Sequence, residues 1–119
     1  MSDSDVIDPT AHERLLEWGG PKLLSQMIRL FLENTGERME LIASGFRDGE
    51  VQKVEHGAHS RKSSAANVGA ERLRVLAADM EGRASRGELE AAEELHEAMQ
   101  TARAEAEHRL REIERGLEA

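Results

Sequence analysis

Between residues 24 and 46, side chains suited to a core recur at steps of three and four: Leu24, Ile28, Phe31, Thr35, Met39, Ile42 and Phe46. That spacing lines one face of an α-helix and cannot line one face of a strand, whose period is two. Three further stretches repeat it. They are Val51, Val54, Ala58, position 61, Ala65 and Val68; then Leu73, Leu76, Ala77 and Met80; then Leu89, Ala92, His96, Met99, Ala102, Ala106, Leu110, Ile113 and Leu117. An amphipathic helix must bury its stripe against a neighbour, so the expected fold class is all-α, an antiparallel four-helix bundle. The first long helix carries a second stripe, Leu23, Met27 and Leu30, which a preceding short helix or a docked partner must cover.

Punctuation residues place the boundaries. Asp8-Pro9 reads as N-cap and first residue of a short helix to about Trp18, with Leu15 and Leu16 inward. Gly19-Gly20 ends it, and Pro21 opens a helix running to about Phe46. Asp48-Gly49 turns the chain into a helix from about Glu50 to Val68, closed by Gly69 as the C′ residue. A helix over about 71–86 follows, Gly87 breaks it, and the last helix is expected from Glu88 to about Leu117. Residues 1–119 should form a single domain, with 1–8 a flexible acidic lead-in.

Composition narrows the function classes. Charged residues make up 34% and aromatics 3%, a helical-bundle make-up. No cysteine is present, so disulfides and thiolate metal sites are excluded. The acidic start lacks signal-peptide character, and no apolar run approaches the roughly 20 residues that span a bilayer, so a cytoplasmic protein without a membrane association is expected. A net charge of −8 argues against nucleic acid as a partner. Lys53, Arg61, Lys62, Arg72 and Arg74 nonetheless outnumber Glu55 and Glu71 within residues 53–74, the one basic stretch, suited to a phosphoryl group or an acidic partner pocket.

That basic stretch contains His59-Ser60-Arg61-Lys62-Ser63-Ser64-Ala65-Ala66-Asn67-Val68-Gly69-Ala70. On a helix, Lys62 and Ser63 share a face with His59, while Glu55 and His56 lie one turn before it. A neutral imidazole is a competent nucleophile near pH 7, Lys62 can offset charge on a group attached to it, and Ser63 leaves the ring approachable. The segment resembles the signature of histidine-containing phosphotransfer (HPt) domains: His-x-Leu-Lys-Gly/Ser-Ser/Ala, four more residues, then Gly-Ala. Weaker similarity extends to Ile7-Asp8 through Gly19-Gly20, to Phe31-Leu32, and to Leu76-Ala77-Ala78-Asp79-Met80-Glu81. The resemblance implies a phosphorelay carrier that accepts a phosphoryl group on His59 from a receiver domain of a response regulator or hybrid histidine kinase, or passes it to one. Lys62 would give electrostatic support and Ser63 access or a hydrogen bond. It implies no cofactor and no enzyme activity of its own, with Mg²⁺ held by the partner receiver, and a monomer.

Arg61 departs from that signature, where leucine is usual. Its helical phase is inward, so the guanidinium must reach water, find an acid such as Glu33, Glu37 or Glu40, or serve the phosphate. Two other readings stay open: an HPt-fold module that docks a receiver or kinase without transfer, and a structural bundle that dimerises through its last helix. Other chemistry lacks its motifs. His56 and His59 have a metal-ligand spacing without a third ligand, and neither His-Glu-x-x-His, a P-loop nor Gly-x-Gly-x-x-Gly occurs. His96, on the inner stripe, is expected to be a hydrogen-bonded core histidine. Without a nucleotide site, phosphate must come from another protein. The start at Met1 and the full-length last helix are what an independent protein would show.

Overall fold

The computed structural model describes residues 6–118, and every regular element in it is helical. The helices are α1 (Pro9–Asp48), α2 (Val51–Val68), α3 (Glu71–Ser85), α4 (Leu89–Glu93) and α5 (His96–Glu118). The backbone of α1 leaves the helical region at Gly20 (φ 69°, ψ −170°), just before Pro21, so α1 is two helical arms joined at a kink. Pro21 cannot donate a helical hydrogen bond, which fixes the break there. The short arm, the long arm, α2, α3 and the α4–α5 run give the four-helix bundle with an added N-terminal helix.

The expected stripes form the core. Leu24, Ile28, Phe31, Thr35, Met39 and Ile42 are buried on α1, as are Val54, Ala58, Arg61, Ala65 and Val68 on α2. Leu73, Ala77 and Met80 of α3 and Met99, Ala102, Ala106 and Leu110 of α5 complete it. Leu16, expected inward, is 39% exposed, because only Leu15 of that turn faces the bundle. Leu30 is 52% exposed, so the short arm leaves part of the second stripe uncovered.

Two glycines set how closely α1 and α2 approach. A Cβ on Gly57 would lie 2.8 Å from Ile42 Cγ1, and one on Gly45 would lie 2.7 Å from Val54 Cγ2. Both sites have room for hydrogen alone, and this close crossing seats the middle of α2 against α1. At the other end of α2, Gly69 (φ 71°) takes the left-handed C-cap conformation that only glycine adopts without strain. Asp8 N–H donates to Gly69 O (2.7 Å), and His12 Nε2–H donates to Val68 O (2.6 Å). These bonds satisfy carbonyls that a helix end leaves open. Val6 and Ile7 are buried, so the expected flexible lead-in does not extend through residues 6–8; its first five residues lie outside the described residues.

The last helix is not continuous from Glu88. It breaks between Glu93 and His96. Residues 88–102 hold five glutamates and no lysine or arginine, with Glu90, Glu93, Glu94 and Glu97 at repulsive three- and four-residue spacings. His96 accordingly sits at a helix start, half-buried, and not in the core. Its ring meets Phe46 edge-on at 5.6 Å, its Nε2 accepts from Gln100 (3.1 Å), and burial lowers its pKa despite the charge of Glu93.

Candidate functional site

The site is built across the α2–α3 hairpin. His59 leaves α2 on its outer side, and its side chain is 58% exposed. Its Nδ1 lies 2.5 Å from Oε2 of Glu81 on α3, while Oε1 of the same carboxylate accepts from Lys62 Nζ at 2.6 Å. Burial disfavours ionisation of Glu81. The hydrogen bonds from Lys62 and His59, with the charge of Lys62, outweigh that and hold its carboxyl below the usual range. An ionised carboxylate only accepts, so in the neutral ring the proton is assigned to His59 Nδ1 and the lone pair to Nε2, on a side chain that is 58% exposed.

Of the residues singled out from sequence, His59 and Lys62 are thus brought together by a third, Glu81. Ser63 is exposed and lines a narrow cleft between α1 and α2. Glu81 was not recognised as a site residue. A signal existed: in an antiparallel hairpin, positions equidistant from the turn face each other, and His59 and Glu81 are each eleven residues from Ala70.

The basic stretch is not a free cationic patch. Lys53 pairs with Asp48 and Glu50, Arg72 with Glu105, and Arg74 with Glu71. Arg61 is fully buried, with 0% exposure. It neither reaches water nor pairs with Glu33, Glu37 or Glu40, which lie on the exposed face of α1. Its Nη1 donates to Thr35 Oγ1 at 2.7 Å, its Nη2 donates to the Thr35 carbonyl, and the guanidinium stands 5.8 Å from the Phe31 ring centre. Burial, then the like charges of Arg38 and Arg103, lower its pKa to about 10 against the opposing charge of Glu107. Being on the inward face of α2, it is turned away from the exposed His59 ring.

Among the described residues no cluster of three or more His, Cys, Asp or Glu could hold a metal ion, and no helix is long and apolar enough to cross a membrane.

With that geometry in view, comparison with known proteins is direct. Residues 26–108 match the Hpt domain family. The fold is also similar to the crystal structure of histidine-containing phosphotransfer protein B (HptB) from Pseudomonas aeruginosa PAO1. The TM-score is 0.86 at 25% identity, over 92% of this chain and 95% of that one. Comparison with curated protein sequences gave no match. The chain belongs to the Hpt domain family, and a histidine phosphotransfer role in phosphorelay follows from that membership.

Proposed function

We propose that the protein is a phosphocarrier that takes a phosphoryl group on His59 Nε2 from the phospho-aspartate of one receiver domain and returns it to the aspartate of another. The observation that carries this reading is the Glu81 carboxylate, which engages His59 Nδ1 and leaves Nε2 as the open nucleophile. In the forward step the Nε2 lone pair attacks phosphorus, the P–N bond forms, and the P–O bond to the aspartyl carboxylate breaks. That carboxylate leaves as an anion. Nδ1 keeps its proton throughout, so the ring becomes positively charged, and Glu81 stabilises that charge at hydrogen-bond distance. Donation is the same step reversed.

Lys62 serves two groups in this scheme. It holds Glu81 in place, and its ammonium offsets the charge of the incoming phosphoryl group. Ser63 keeps the approach open. Mg²⁺ and the acidic pocket belong to the receiver, and this chain acts as a carrier and not as an enzyme in its own right. The inward burial of Arg61 favours transfer over a docking-only module, because the unusual residue does not intrude on the nucleophile.

The test is transfer from phosphorylated receiver domains of the source cell. Acid-labile label should appear on the wild-type chain and be absent from His59→Gln, whose helical circular dichroism should be unchanged because the ring is exposed. Label that survives in His59→Gln and disappears in His56→Gln would move the acceptor to the neighbouring histidine.

A further inference from the structure

A narrow cleft of about 140 Å³ opens between α1 and α2, beside the phosphoacceptor turn. Met27 and Leu30 form its apolar end; its polar end is made by Asn34, Arg38, Ser60, Ser63 and Asn67. Among the described residues no carboxylate lines it. Glu37 borders only the adjoining opening and is exposed. Arg38 lines the cleft, and its Nε and Nη1 nitrogens are buried without a hydrogen-bond partner. A guanidinium carries five donors, and donors left unmade away from water are expensive.

The charges behind Arg38 sharpen the point. The α1–α2 hairpin places Ile42 against Gly57 and Gly45 against Val54, and the same register sets Arg38 opposite Arg61. Arg103 approaches from α5, and Glu107 is the acid that acts on this group from within the bundle. Arg61 thus meets two like charges against one carboxylate, and of these Arg38 is the one that lines the cleft. Hydroxyl and amide donors converge on that opening. Guanidinium N–H groups flanked by neutral donors suit an oxyanion.

We propose that this cleft binds a small oxyanion on Arg38, at a site beside but separate from His59. The anion is either free phosphate or a carboxylate side chain presented by a docked protein; both offer the same acceptor chemistry. The proposal stands without the phosphotransfer reading, because it rests on the unpartnered guanidinium and the cleft alone.

The experiment is a titration of the full-length ¹⁵N-labelled chain at pH 7 with sodium phosphate or sodium acetate, ionic strength held constant with chloride. The Arg38 Nε–H and the Asn34 and Asn67 side-chain amides report on the cleft. A saturable shift in the millimolar range is expected, and it should persist in His59→Gln. Asn34→Asp places a carboxylate one turn before Arg38 and supplies the anion internally. That variant should melt higher than wild type and weaken the titration about tenfold or more. Its raised stability removes misfolding as an explanation. Tighter binding of phosphate identifies the free anion as ligand, and equal or tighter binding of acetate identifies a partner's carboxylate. No saturable shift with either probe would mean that water alone fills the cleft and would overturn the proposal. So would shifts that vanish in His59→Gln or survive undiminished in Asn34→Asp.

Discussion

Replacing Arg61 by leucine should make this protein more stable. The side chain is fully buried and charged, and its pKa is lowered to about 10, chiefly by burial and then by Arg38 and Arg103. At 1.36 kcal/mol per pKa unit, holding the charge inside costs about 3 kcal/mol relative to water. Leucine removes that cost. Against it stand a smaller side chain, which leaves a void worth about 1–2 kcal/mol, and the loss of the donors to Thr35. The Thr35 hydroxyl can turn back to the carbonyl one helical turn earlier, so it does not stay unpaired. A net gain of about 1–2 kcal/mol results, within the range seen when buried ions give way to apolar residues. For a chain of this length the melting temperature should rise by roughly 3–10 °C.

Two further measurements probe the reasoning itself. Because the folded pKa is lowered, the unfolded chain binds more protons above about pH 10, and wild-type stability gains as pH rises from there. The advantage of Arg61→Leu, measured by urea unfolding, should therefore be full at pH 7 and shrink above about pH 10. Thr35→Val should cost about 1–3 kcal/mol in the wild type, where it strands a guanidinium nitrogen, and far less beside leucine at 61. A leucine variant less stable than wild type at pH 7, together with a destabilised Arg61→Met, would refute the argument. Arg61 would then be a net stabilising group.

Three shorter predictions complete the set. Glu81→Gln should let the His59 Nδ1–H tautomer population fall, visible in imidazole ¹⁵N shifts, and slow phosphoryl transfer by about 10–100-fold. The same variant should lose one component of acid unfolding: the depressed Glu81 pKa contributes stability above its unfolded value, lost as pH drops below about 4. Lys62→Ala should keep some transfer but shorten the phosphohistidine lifetime; an unchanged rate and lifetime would leave Lys62 no part in the chemistry. Gly57→Ala should destabilise by about 1–3 kcal/mol in urea unfolding, since its Cβ would meet Ile42 Cγ1 at 2.8 Å; a neutral result would mean the helices separate freely.

The helical stripes were legible because burial in a bundle follows a 3.6-residue period, and even the inward phase of Arg61 could be read from Val54, Ala58, Ala65 and Val68. What surrounds Arg61 could not. Its acceptors are a hydroxyl and a backbone carbonyl of Thr35, and sequence patterns direct attention to acids. The acids within reach in sequence, Glu33, Glu37 and Glu40, fall on the opposite side of the same helix from Thr35, Met39 and Ile42. His59 and Lys62 were legible as local neighbours. Glu81 joins them across a hairpin, and a pairing of that kind depends on register, which the turn at Gly69 determines and helical period does not. The break before His96 was hidden because an apolar stripe continues straight through it, while the repulsion among glutamates acts on the opposite surface.

The bonds from Asp8 to Gly69 and from His12 to Val68 bear on how the chain is made. A nascent polypeptide emerges from its N-terminus, and its first arm finds its acceptors only after residue 69 has left the ribosome. Until then the two hydrogen bonds that fasten the first arm cannot form, while the α1–α2 pair can already associate through contacts near its own turn. Synthesis thus separates an early hairpin from a late clasp. A fusion or tag placed ahead of Asp8 bears on the second event, and its effect should appear as a slower final folding phase before any loss of helix.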